Sequence, residues 1–442
     1  MQTLLGPLSM HGVGGRSDLP VPFALAVTAG AVALVVSVVA LAFLWPQPRL
    51  GRPGAGWPLP ASLAQVLDSR AARFGVRVLG LVLTAFVLAA TLFGVDDALN
   101  PTAGVVYVLF WVGTVAFASA VLGPVWRWLN PLRTLYLAVC GLLRHDPAMG
   151  LLPYPDRLGN YPAAAGIFAF AWLELVAPQR DTLPVLRAWF GAYAVLMIMG
   201  AVVYGSRWVD RGDAFQVASQ LYGRLSPLGR RPDGTLVLRN PLDGAASTPI
   251  VAGMWAMVAV MLGTTAYDGM SNATFWVRFF QDGPAPQIVI QTLGLLAGPL
   301  AFGLLYLLAV WAAGRLGGRG FMPAQFAPSI VPIALGYLFA HYYSFFVLAG
   351  QTTVQQLGDP LGTGANFLGL SDRGVSFAWV SPTFVATLQV VSVVLGHIVG
   401  VVLAHDRAVG LFPRKAAVVG QLPLLALMVA YTVAGLLLLF SG

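Results

Sequence analysis

The chain has a single cysteine, Cys140, in 442 residues. That excludes an internal disulfide framework, a thiolate metal cluster and a CxxC redox pair, and leaves Cys140 as a small packing hydrophobe. Charge is scarce as well, with Asp, Glu, Lys and Arg making up 10% of the chain against 58% hydrophobic residues. One soluble core cannot hide so many apolar side chains, so lipid must act as part of the solvent. The sequence also lacks GxxxxGK[ST], HExxH, GxSxG and a glycine-rich dinucleotide fingerprint. Nucleotide-driven pumping and the common hydrolase signatures therefore have no support. A basic n-region followed by a cleavage site is missing too, so the first apolar run is expected to be retained.

What is present is a series of long apolar runs. A helix needs about 20 mostly apolar residues to cross a bilayer. Ten runs fit: 22–45, 76–95, 104–122, 161–177, 183–204, 250–267, 288–313, 326–348, 382–404 and 420–440, of which 161–177 and 250–267 are marginal. The expected fold is all-α, a polytopic transmembrane bundle of about ten spanning helices. Residues 1–21 form an outward arm and 22–440 a single integral membrane domain. The stretch Leu132 to Leu143 is too short to span and is expected at the interface or dipping in and returning. Asn-Pro pairs at Asn100, Asn130 and Asn240 suit helix starts or turns, and Arg231-Pro232-Asp233-Gly234 suits a hairpin turn. Arg211-Gly212-Asp213 reads as a solvated turn in the connector 205–249.

Charge placement sets the expected orientation. Of 25 Lys and Arg residues, 20 fall in five alternate loops: 46–77, 123–160, 205–249, 314–325 and 405–419. Cytoplasmic loops carry such an excess, which places both termini and the loop 349–381 on the extracytoplasmic side of a bacterial cytoplasmic membrane. The net charge of +8 is then a topological signal, with lipid as its partner and no nucleic acid implied.

Against this background Glu174, Asp268 and His341 stand out, because they lie in or at the ends of apolar runs. A charge at the bilayer centre costs roughly 2.5–3.5 kcal/mol on insertion scales, so such groups face a protein-lined or watered space. His341 is seven residues from the outward end of its span and Gln389 seven residues into the next, so both are expected to lie level, about 10 Å deep. Glu174, Asp268 and Asn272 sit near outward ends as well. Such convergence suits a divalent metal site (Zn, Mn or Co), with His341 and Asp268 as ligands, Glu174 as general base, and His11 and Asp18 of the arm closing it.

Each residue has a plain structural alternative: snorkelling for Glu174, helix termination for Asp268, a hydrogen-bonded packing role for His341. His397, between Gly396 and Gly400, reads as a packing imidazole bonded across helices. His405 reads as a polar anchor at the inner boundary. Ser344, three residues after His341, adds a nucleophile to be weighed. The long outer loop from Gln351 through Asp359 to Trp379 is placed to act as a lid.

Several stretches resemble the fenitrothion hydrolase family of bacterial polytopic membrane proteins. They are His11-Gly12 with Gly15 to Pro20, Tyr107 to Gly113, Leu152 to Gly159, Phe170 to Glu174, Tyr267 to Asn272, Ala340 to Ser344, and Gly396-His397 through Ala408. The resemblance runs over nearly the whole chain. It implies hydrolysis of an organophosphate triester, an apolar small molecule that partitions into lipid. It assigns no catalytic residues, so His11, Glu174, Asp268 and His341 rest on depth and charge alone. Two other classes stay open: a transporter or channel, in which Pro328 and Pro332 break the eighth span to expose carbonyls, and an electron-transfer subunit with His341 and His397 as haem ligands.

Overall fold

The computed structural model describes residues 15–271, 273–281 and 285–440. Ten long helices are α1 (Phe23–Leu44), α2 (Arg70–Phe93), α3 (Thr102–Leu122), α4 (Tyr161–Leu175), α5 (Leu183–Tyr204), α6 (Met254–Ser271), α7 (Gln287–Leu316), α8 (Val331–Gln356), α9 (Pro382–Leu411) and α10 (Ala417–Leu439). The class is the expected all-α polytopic bundle. Eight of these helices, α8 being taken with its lead-in from Pro323, are long and apolar enough to cross a membrane. The two exceptions, α4 and α6, correspond to the two runs that are marginal by sequence.

Burial explains why those two tolerate weaker hydropathy. Helix α4 has 15 residues, and α6 carries Thr264, Thr265, Tyr267, Asp268 and Ser271 in its second half. Both are interior: Ala163, Met257 and Val258 are fully buried, whereas α1 presents Val32, Val36 and Phe43 outward. A helix shielded by other helices need not be apolar all round, because protein rather than lipid surrounds it.

The ten helices run between two distinct ends. At one end a small antiparallel sheet joins β1 (Trp57–Pro58), β2 (Leu228–Arg230) and β3 (Leu236–Leu238) in the order β1-β3-β2. It ties the loop after α1 to the segment after α5. Further bonds gather the remaining arginine-rich segments there: Asn160 N to Ala252 O (2.7 Å), Ser206 N to Pro147 O (2.7 Å) and Arg319 Nε to Leu411 O (3.0 Å). Asp406 accepts from Trp45 Nε1 and from the Arg49 and Leu50 amides. The opposite end is held by Arg16 Nε on Phe440 O (2.7 Å), Leu183 N on Asp96, Tyr107 OH on Arg180 O and Gln356 on Ala98 O. The segments holding 20 of the 25 basic residues thus share one end of the molecule.

Local sequence signals act as expected at several places. Asn100, Asn130 and Asn240 each turn a side-chain oxygen onto an amide of the helix that follows, those of Thr102, Arg133 and Leu242. The expected hairpin turn joins β2 to β3, with Gly234 N on Arg231 O and Arg231 N on Thr235 O. The connector 205–249, by contrast, is more than a connector. It contains a buried helix, Ala214–Gly223, packed against α3 and α4. Asp213 is no solvated turn residue either. Its exposure is 1%, and it caps that helix through the Phe215 and Gln216 amides while accepting from Tyr193 and Asn130.

The α8–α9 contact is built from small residues. Cβ atoms added at Gly336, Gly396 and Gly400 would lie 2.5 Å from Ser392 O, 2.7 Å from Pro332 O and 2.8 Å from Ser329 O. Such contacts require glycine and fix the antiparallel register. Pro328 lies in a 3-10 turn, Ala327–Ile330, leading into α8. The carbonyls of Ser329 and Pro332 face Gly400 and Gly396 of α9.

Candidate functional site

Helices α6 and α8 bring Asp268 and His341 together at the arginine-poor end. His341 Nε2 stands 2.9 Å from Asp268 Oδ2, and the Tyr342 hydroxyl donates to the same oxygen at 2.6 Å. All three residues are buried, at 3–5% exposure. The His341 ring is stacked near Tyr337 (centroids 6.5 Å, 12° between planes) and meets Tyr342 edge-on at 4.8 Å. A carboxylate this deep is tolerable only with strong donors. The imidazole and phenol supply them, and a carboxylate and an imidazole share one buried contact at Asp268–His341.

Close helix contact places Asp268. Five residues before it, Gly263 abuts α7, where an added Cβ would lie 2.3 Å from Pro299 N. One residue before it, Tyr267 packs edge-on against Trp276 at 5.8 Å. Glu174, the only glutamate in the chain, is buried at the end of α4. It lies within electrostatic reach of Asp268, Arg180 and Tyr342. Arg180 crosses that helix end, donating to Leu175 O at 3.1 Å. Trp172 fastens α4 to α7 through Thr292 Oγ1 at 2.9 Å.

More polar groups lie along the same helices. Tyr337 and Ser344 flank His341 at spacings of four and three, on one face of α8. Their hydroxyls are buried and have no hydrogen-bond partner among the described residues, and the same holds for the Gln389 amide and His397 Nε2 on α9. Counting from the Pro332–Gly396 contact, His341 is nine residues along α8 and Gln389 seven back along α9. At 1.5 Å per residue they are level to within one helical turn, as expected from depth. A buried polar group without a partner costs about 1–3 kcal/mol; others lie elsewhere, at Trp126, Trp208, Gln216, Trp276, Arg407 and Gln421.

His397 and His405 each make hydrogen bonds away from Asp268. His397 Nδ1 bonds Val393 O of its own helix at 2.8 Å, so the expected bond across helices is replaced by one within α9. His405 is a buried clamp rather than a boundary anchor: it joins Gln421 Oε1 of α10 and Trp45 O beyond α1, each at 2.9 Å. His11 and Asn272 lie outside the described residues. Asp18 closes a short turn onto the Gly15 amide, beside α9. Among the described residues no three His, Cys, Asp or Glu side chains are arranged to hold a metal ion.

Outside the spans, the loop after α8 folds back along that helix. Tyr343 OH donates to Trp379 O, Gln351 Nε2 to Ser376 O and Gln355 Nε2 to Arg373 O. Asp359 organises it: the Thr363 and Gly364 amides hold its carboxyl below the ordinary carboxylate range. Tyr342 is the residue of this cluster that the sequence does not single out as a candidate. Its signal there is a hydroxyl one residue after His341.

Comparison with family models, with curated proteins and with solved structures finds no match to this chain.

Proposed function

We propose that this is a multi-pass protein of a bacterial cytoplasmic membrane, with its arginine-rich end in the cytoplasm, that moves a proton at Asp268–His341 in step with an apolar small solute. The observation that carries the reading is the Asp268–His341–Tyr342 cluster: two titratable groups in direct contact inside membrane helices. Ionisable residues inside membrane helices are rare, pair with one another and mark proton relays and substrate pathways. The unpartnered polar groups on α8 and α9 extend the same polar core along the helices.

Charge displacement after a pH jump on a solid-supported membrane tests it directly. Protonation of a group within the field gives a transient current without any knowledge of the solute. Wild-type proteoliposomes should show one, and Asp268→Asn and His341→Gln should lose it. An unchanged current in Asp268→Asn would overturn the reading.

A second reading, hydrolysis of an apolar ester, has its own support. A carboxylate on an imidazole nitrogen is how a general base is oriented, and Ser344 Oγ lies buried one turn further along α8. In a metal-assisted version His341 and Asp268 would bind the ion, Glu174 would act as base, and a third ligand such as His11 would come from beyond the described residues. Release of aryl alcohol from a phosphotriester, lost in His341→Ala and dependent on added Zn, Mn or Co, would favour this reading over transport.

A further inference from the structure

Helix α2 begins with arginines at spacings of three and four: Arg70, Arg73 and Arg77. With Ala71 and Phe74 they line an open groove of about 610 Å³. Arg77 lies over the Trp128 ring at 6.0 Å, and the charged groups that act on it are Arg133, Arg73 and Arg127, all cations. Nearby acids are already engaged. Asp210 pairs with Arg133 at 2.6 Å, and both oxygens of Asp68 are taken by Arg230. Arg73 donates to the Asp68 and Ser69 carbonyls, which carry no net charge. Among the described residues the ion pairs are Arg133–Asp210, Arg230–Asp68 and His341–Asp268. Arg70, Arg73, Arg77 and Arg127 belong to none of them.

Asp68, already paired with Arg230, is the acid that acts on Arg73; like charges gathered in excess of their counter-charges repel one another, so the arrangement calls for an anion. Its surroundings define which one. The groove opens at the arginine-rich end of a membrane-length helix, and below it the same helix exposes Phe74, Val78, Leu79 and Val82, at 70, 37, 51 and 58%. Guanidinium groups bind phosphate by paired hydrogen bonds, and an exposed apolar stripe beside them suits acyl chains. Arg127 stands on the segment Trp126–Leu129, which packs against α2, so guanidinium groups come from two segments side by side and can reach more than one phosphate. We infer that Arg70, Arg73, Arg77 and Arg127 form a headgroup site for an anionic phospholipid carrying two phosphates, of the cardiolipin type, whose chains lie along α2. The inference rests on α2 crossing a membrane and not on the proton chemistry of Asp268.

Native mass spectrometry of the delipidated full-length protein tests it, with cardiolipin, phosphatidylglycerol, phosphatidylcholine or inorganic phosphate added. Wild type should retain cardiolipin at least ten-fold better than phosphatidylcholine. The double variant Arg73→Gln/Arg77→Gln should lose that preference, and Arg319→Gln, at the same end of the molecule, should keep it. If the double variant does not stay monodisperse, the exposed pair Arg70→Gln/Arg127→Gln serves instead. Equal retention of cardiolipin by wild type and variant overturns the site. Displacement of cardiolipin by millimolar inorganic phosphate, with one phosphate bound per chain, overturns the lipid in favour of a free anion.

Discussion

Asp268 illustrates what one buried carboxylate demands. Its Oδ2 meets both His341 Nε2 and the Tyr342 hydroxyl, and hydrogen bonds to charged groups contribute about 1.5–3 kcal/mol each. Tyr342→Phe should therefore lower the thermal midpoint measurably while keeping the fold, and it should change the pH dependence of the pH-jump current rather than abolish it. An unchanged midpoint and an unchanged pH profile together would mean that the phenol adds nothing to the pair. His405 offers the contrast. It bonds Gln421 and Trp45 O far from Asp268, so His405→Ala should cost roughly 2–3 kcal/mol by leaving buried partners unpaired. The current of the protein that still folds should persist, and its loss at full stability would place His405 in the working machinery. Sequence reading found Asp268 and His341 through their rarity in apolar runs. It could not see that Tyr342 and Asp268 share a bond, because a tyrosine in a span is unremarkable until its partner is known.

Among the elements, the glycine crossings position the cluster. Gly263 lets α6 touch the backbone of α7 at Pro299, and backbone atoms cannot move aside as side-chain ends can. Gly263→Val should cost at least the roughly 1–3 kcal/mol typical of overpacking. It should also weaken the Asp268–His341 contact five residues further on. Thermal unfolding together with the pH-jump current reads both effects, and normal behaviour in both would show that α6 can shift without penalty. The α8–α9 crossing at Gly336, Gly396 and Gly400 has the same character. The Gly-His-x-x-Gly spacing pointed to close approach there, and that part was legible. The buried helix Ala214–Gly223 was not, since its polar flanks look like those of a surface connector and only its capping by buried Asp213 reveals otherwise.

For the molecule as a whole, the separation of charge is the dominant fact. The arginine-rich segments are tied together by the small sheet, by Asp406 and by the bonds from Asn160 and Ser206. The opposite end carries Arg16, Arg180, Arg278 and Arg373. Cytoplasmic placement of the rich end follows from the positive-inside tendency. In a Cys140→Ser background, Gly234→Cys and Asn366→Cys should react with impermeant thiol reagents from opposite sides of the membrane, Asn366→Cys from the extracytoplasmic side. Reaction from the same side would overturn the topology. Composition and hydropathy by themselves determined the helical class, the apolar runs and the division of charge between alternate loops, because partition into lipid and placement of arginine are properties of each segment taken alone. The meeting of Asp268 with His341 and Tyr342, the burial of Asp213 and the unpaired arginines of α2 were decided only in three dimensions. They depend on the register and crossing of helices far apart in the chain, which close backbone contacts at a few glycines set and no single segment encodes.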